Sequence, residues 1–212
     1  MSVGIMDAND ILDRYTAGNR HFLQVSLQRV NLKEICLVGI NLGQGNLSGA
    51  NLSGACLRGA NLNEANLVEA TLWRTDLREA LLIWTNLSKA CLIRSNLVKA
   101  DLHKAILARA DLRLADLRYA DLSDANLEGA DLRYADLTGA NLAGANLSKT
   151  NLTGANLSKA DLYQANMAKA ILSRTDLRYA DISCTNMDNI DLCDVNLSGA
   201  CLSESLLSYS FN

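Results

Sequence analysis

The chain of 212 residues has no proline, only two phenylalanines and two tryptophans, and just two histidines, His21 and His103. An ordinary globular core draws on more aromatic residues, because each buries a large area. Leu and Ala dominate instead, which points to a core of many small equivalent layers. No apolar run approaches the roughly 20 residues needed to cross a bilayer, and Met1 to Asp13 holds three Asp and no basic residue. That segment reads as neither a signal peptide nor a transit peptide. A net charge of −3 is too mild to demand nucleic acid or a charged membrane as partner. Six Cys occur without a C-x-x-C pair, so no zinc or redox motif is expected, and the setting reads as cytoplasmic and reducing.

What the chain does have is self-similarity. From Phe22 to Leu207 every fifth residue is apolar: 38 consecutive positions, 34 of them Leu, the exceptions being Phe22, Met167, Ile182 and Met187. Two residues before each stands a small residue, usually Ala, as at Ala50, Ala110 and Ala145, with Asn or Asp between. A period of five fits neither a helix of 3.6 residues per turn nor a continuing strand of period two. In an extended segment, Ala and Leu two residues apart point inward together while the Asn or Asp points outward. The remaining two residues must turn a corner. Gly at the second of them, as at Gly49, Gly54, Gly59, Gly139 and Gly199, suits a turn with φ > 0. Lys99, Tyr119 and Tyr134 share that slot, so a Gly-type turn is not expected at every corner. A chain that turns every five residues winds into coils stacked through parallel ladders, and proline, which deletes ladder donors, has no place in it.

The tandem A-[DN]-L-x-x pattern, plain in Ala130-Asp131-Leu132-Arg133-Tyr134, resembles the pentapeptide-repeat family over about nine-tenths of the chain. The resemblance implies an all-β solenoid, a right-handed parallel β-helix of square cross-section with four pentapeptides per coil. It implies about nine and a half coils and, at ~4.8 Å per ladder step, a rod about 45 Å long. Every twentieth residue from Ser26 supports that period: seven of ten are Asn, and stacked Asn side chains can hydrogen-bond along a ladder.

The expected organisation is an N-terminal segment, 1–19, carrying a capping helix, and a β-helix over 20–212. Asp7 is placed as an N-cap, acids fill the first turns and Gly18 sits where a helix stops. Ile11, Leu12 and Tyr15 form its apolar face, a lid on the first coil. The lead-in Leu12…Tyr15-x-Ala17-Gly18 resembles that of cyanobacterial members. Inward slots enlarge at both ends, with Val25, Val30, Ile35 and Ile40 early and Ile190 and Val195 late. The last residues leave no room for a second capping helix, and an uncovered coil is a template for pairing. A homodimer through the C-terminal coil, at Leu206, Tyr209 and Phe211, is therefore expected.

Three outward features are candidate contact surfaces. One side gathers Trp73, Arg74, Ile93, Arg94, Arg113, Arg133 and Tyr134, and the next adds Arg78, Lys99, Arg118 and Tyr119. Such a strip suits an acidic partner. Five Asp-Leu-Arg triplets in it, however, place an acid on the same face as the Arg, so local ion pairing is the plainer reading. A second side is acidic, with Glu64, Asp101, Asp121, Asp124, Asp161, Asp181 and Glu204 against Lys104. Some family members resemble B-form DNA and bind DNA gyrase. This chain departs from them through basic residues on the other three sides and the lack of projecting loops. Large outward apolar residues form the third feature: Trp73, Leu81, Ile83, Trp84, Ile93 and Ile106, with Trp84 expected opposite Trp73. Cys36 and Cys56, 20 residues apart, should stack as free thiols. The unbroken repeat leaves no convergent pocket, so catalytic, cofactor-binding and metal-binding residues are expected to be none. The reading is a non-catalytic scaffold for a protein partner, with no membrane contact and no direct nucleic-acid binding. The resemblance adds a regulator of cyanobacterial differentiation and a gyrase-directed DNA mimic as alternatives.

Overall fold

The computed structural model describes residues 6–205. Helix α1, Ala8–Thr16, begins at a reciprocal cap: the Asp7 carboxylate accepts from the Asp10 N–H at 2.9 Å, and the Asp10 carboxylate accepts from the Asp7 N–H at 3.3 Å. The chain leaves it through Gly18 at φ +95°. Ile11 is fully buried, and Ala8 and Tyr15 pack beside it on the first coil. The Tyr15 hydroxyl donates to the Val38 carbonyl at 3.0 Å, and the Arg20 guanidinium lies 3.6 Å from the Tyr15 ring centre. Leu12 stands half-buried at the margin, so the lid rests on the Ala8–Ile11–Tyr15 stripe.

Beyond α1 the chain repeats one local structure. The parallel bridges join residues 20 apart, from His21 with Asn41 to Asp181 with Cys201, so four five-residue units make one coil. We number the four sides by their bridging residue: first (21, 41, …), second (26, 46, …), third (31, 51, …) and fourth (36, 56, …). Each bridge is one residue long, and no continuous strand or sheet forms among the described residues. With a corner every fifth residue, the extended stretch ends before a strand can grow, so the expected all-β solenoid is represented by ladders of single-residue parallel bridges.

The unit 130–134 shows how the backbone is satisfied. Asp131 N–H donates to Ala110 O at 2.9 Å on one neighbouring coil. Leu132 and Tyr134 donate to Asn151 O at 2.8 Å and Thr153 O at 3.1 Å on the other. Ala130 N–H closes the preceding corner on Leu127 O at 2.9 Å, and Arg133 N–H donates to its own unit's Asp131 Oδ1 at 3.2 Å. All five donors are used, which explains the Asn or Asp column: its oxygen takes the one N–H of the unit that no backbone carbonyl accepts. Where Leu81 replaces it, Asn63 of the neighbouring coil accepts from Ile83 N–H instead, at 2.9 Å.

From Gln24 to Asn189 every corner uses a left-handed residue, and among the described corners Asp194 alone does not. Lys99, Tyr119 and Tyr134 have φ of +57°, +59° and +59°, against +66° for Gly139, so the expectation that they would need a different turn is overturned. An L-residue there costs about 1–2 kcal/mol, but the ladder bonds on both flanks leave the corner no other course.

Inside, the Leu column is almost entirely inaccessible from Leu27 to Leu177. Each such Leu contributes about 1.5–3 kcal/mol by leaving water. Where Thr or Ser replaces the inward Ala the hydroxyl is satisfied, as in Thr75 to Leu52 O at 2.8 Å and Thr85 to Leu62 O at 2.7 Å. Burial weakens late: Leu192 and Leu197 are half-buried, Leu202 is 40% exposed, and no bridge joins Ile171 to residue 191.

Candidate functional site

The third side collects most of the predicted strip. Ile93, Arg94, Arg113, Leu114, Arg133 and Tyr134 line a shallow cleft of about 390 Å³. Trp73 and Arg74 lie one rung away, the Arg74 guanidinium 5.2 Å from the Trp73 ring centre. Trp73 and Ile93 sit on successive rungs, linked by Arg74 N–H donating to Ile93 O at 3.0 Å. Trp84, 58% exposed, belongs to the first side, across the coil, with Lys104 stacked on it at 5.1 Å. Leu114, 46% exposed, was not among the sequence candidates; an aliphatic residue at a corner slot was the available signal. Leu206, Tyr209 and Phe211 lie outside the described residues.

Arginines of the strip are largely held by their own units. Arg78, Arg113, Arg118, Arg133 and Arg178 each form a fork on the Asp two residues before, with Nη2–Oδ2 distances of 2.6–2.7 Å. Arg113 also reaches Asp131 on the next rung at 3.8 Å, and Arg118 reaches Asp136 at 3.9 Å. The side-chain hydrogen bonds of Arg78 and Arg178 hold the Asp76 and Asp176 carboxyls below their ordinary range. At Asp116 and Asp131 partial burial pushes upward, and the contacts from Arg118 and Arg133 outweigh it. Among the described residues, no carboxylate lies within 4 Å of Arg74 or Arg94.

Tyrosines at the corner slot share one arrangement. The rings of Tyr119, Tyr134 and Tyr179 each lie over the glycine 20 residues on, Gly139, Gly154 and Gly199. A Cβ built on those glycines would meet the ring at 2.8, 2.7 and 2.6 Å. Glycine is needed there as a seat for the ring, not for its φ.

On the first side, carboxylates are engaged in local backbone capping. Asp101, Asp121 and Asp161 accept from the N–H of His103, Ser123 and Tyr163 at 2.9–3.0 Å. On the second side, Asn rungs connect where uninterrupted, as in Asn146 Nδ2 to Asn126 Oδ1 at 3.2 Å, and Ile106 breaks the column. Cys36 and Cys56 occupy bridged rungs, and partial burial raises the Cys56 thiol. A feature without a sequence signal is the Cys201 sulfur, which accepts from Ser183 Oγ at 3.1 Å; that bond lowers its pKa. Among the described residues, no group of three His, Cys, Asp or Glu side chains could hold a metal, and no helix is long and apolar enough to cross a membrane.

Comparison with known proteins follows from this geometry. The family described as Pentapeptide repeats matches in eight copies, over residues 26–63, 65–103, 95–133, 130–168 and 170–208. Among solved structures, HetL of the cyanobacterium Nostoc sp. strain PCC 7120, a pentapeptide repeat protein involved in heterocyst differentiation regulation, is similar at 35% identity. The match covers 95% of each chain with a TM-score of 0.61. A thylakoid-lumen pentapeptide repeat protein of Arabidopsis thaliana is 32% identical over 46% of this chain and 68% of its own, with a TM-score of 0.45. QnrB1, a plasmid-mediated fluoroquinolone resistance protein, is 18% identical over 86% of this chain and 93% of its own, with a TM-score of 0.44. No curated protein matches. No catalytic family is indicated by these likenesses.

Proposed function

Because this chain belongs to the pentapeptide-repeat family, we propose that it is a non-catalytic scaffold that docks a protein partner along its third side. The observation that carries this reading is the concentration of outward Trp73, Arg74, Ile93, Arg94, Arg113, Leu114, Arg133 and Tyr134 on one face of an otherwise regular rod. Large apolar and Arg residues in outward slots are what an interface centre uses. The scaffold is read as a right-handed quadrilateral β-helix over 20–212 behind a capping segment, 1–19, acting in the cytoplasm. Similarity to HetL along nearly the whole chain supports a regulatory role in cyanobacterial differentiation, exerted by binding a protein.

The test is affinity capture in a heterocyst-forming cyanobacterium, comparing the wild-type chain with a Trp73→Ser, Ile93→Asp double variant. A specific partner retained by the wild type and lost by the variant is expected, together with an altered heterocyst frequency on overproduction. Equal capture by both proteins would overturn the third side as the docking face. The basic residues on the other three sides do not favour a gyrase-directed role for the acidic first side. End-to-end dimerisation through the C-terminal coil remains part of the proposal, and light scattering at high micromolar concentration checks it.

A further inference from the structure

The cleft on the third side has a definite polarity. It is lined by Arg113 and Arg133, each of which spends Nε and Nη2 on its own Asp, Asp111 and Asp131. Among the described residues, Nη1 of both arginines makes no hydrogen bond, so two guanidinium edges of fixed orientation stand one rung, ~4.8 Å, apart. At the rim, Arg94 is exposed and has neither a carboxylate within 4 Å nor a stacked ring. Ile93, Leu114 and Tyr134 supply the apolar lining, and the Tyr134 ring is seated on Gly154. The forks hold Arg113 and Arg133 rigid, so little side-chain freedom is lost when a ligand arrives.

From this juxtaposition we infer that the cleft receives an extended acidic segment of a partner protein, one carrying a carboxylate beside an aromatic or large aliphatic side chain. The carboxylate meets the Nη1 edges of Arg113 and Arg133 and the Arg94 cation, while its apolar neighbour lies against Ile93, Leu114 and Tyr134. A carboxylate's two oxygens can accept from two such edges at once. A polynucleotide fits this cleft less well. A row of phosphates needs a row of unpaired cations, and Arg113 and Arg133 are each already paired with their own Asp. The inference rests on the scaffold reading and adds to it the chemistry of the docked segment.

The experiment is selection of a displayed random peptide library on the immobilised full-length protein, followed by fluorescence anisotropy with the enriched peptide. Enrichment of peptides pairing Asp or Glu with an adjacent aromatic or aliphatic residue is expected. Affinity should fall roughly tenfold or more in Arg94→Glu and in Tyr134→Ala. It should be unchanged in Arg58→Glu, on the fourth side. Circular dichroism confirms that each variant is folded. The inference is overturned by no enrichment, by enriched peptides without acidic residues, or by affinity indifferent to Arg94→Glu. Tighter binding of a single-stranded oligonucleotide, lost in the same variants, also overturns it. If capture in cells depends on Trp73 and Ile93 while the selected peptides fail these criteria, the scaffold reading stands and only the acidic segment falls.

Discussion

An alanine at position 154 would set its Cβ 2.7 Å from two ring carbons of Tyr134, closer than packed carbons approach, whereas a Cβ at Gly59 meets nothing within 4 Å. The two glycines have φ of +68° and +63°, so the cost of a left-handed L-residue is shared and cancels in the comparison. Gly154→Ala should therefore lower stability in urea by about 1–3 kcal/mol more than Gly59→Ala, the range of an overpacked contact. The excess should vanish in a Tyr134→Ala background. Equal losses in the two single variants would show that the ring does not rest there. A second prediction concerns the Asp–Arg forks. Asp76 and Asp176 are held below their ordinary value of 3.8 by the Arg78 and Arg178 hydrogen bonds. A carboxyl depressed by folding stabilises fully above its unfolded value, and that contribution drains as pH falls through the folded one. The urea midpoint should thus begin to drop below about pH 4, and Arg178→Gln should remove part of that acid-dependent loss. The forks were legible from the Asp-x-Arg spacing. The tyrosine seats were not, because a ring and its glycine are 20 residues apart and the φ argument had already given glycine a different reason.

Helix α1 tests what one element contributes to the coil it covers. Ile11 is fully buried against the first coil, and Tyr15 is tied to Val38 O at 3.0 Å. Ile11→Ala should cost about 2–5 kcal/mol by thermal or urea unfolding, and Leu12→Ala much less, since Leu12 is only half-buried at the edge. Similar losses for both would return Leu12 to the packed face. The helix and its N-cap were readable because capping residues and apolar spacing are local signals. Which of two adjacent apolar residues faces the coil depends on the angle at which the helix lands, and no local signal carries that. The corners teach the same lesson in reverse. Tyr119 and Lys99 looked unsuited to a left-handed turn by propensity, yet the ladder on both flanks imposes it.

For the rod as a whole, stability is a sum of coil and neighbour terms, so it need not be uniform along the axis. The late coils hold fewer of these terms: the rung between Ile171 and residue 191 is absent, and Leu192, Leu197 and Leu202 keep solvent contact. Native-state hydrogen exchange should find amides of residues 190–205 exchanging well before those of residues 90–150, through local opening. Uniform protection would mean that the late coils are as firmly stacked as the middle. The five-residue unit was legible from the Leu column, whereas four units per coil came from the family resemblance, with the 20-residue period of Asn as support. The position of the cleft was only half legible, because the strip residues share a side by arithmetic, while their forks and the place of Leu114 are set by packing.

The four-unit coil also governs how such a protein can be edited by its gene. Each unit satisfies its own backbone in the same way, so duplicating or deleting one unit inside the solenoid leaves a chain that can still wind. What it changes is orientation: every residue downstream moves a quarter turn, and a surface assembled from several rungs, such as that from Trp73 to Tyr134, is severed at the splice. Duplicating four units at once restores every face. Lineages that keep this surface intact are therefore free to lengthen the gene in steps of 60 nucleotides and are barred from steps of 15.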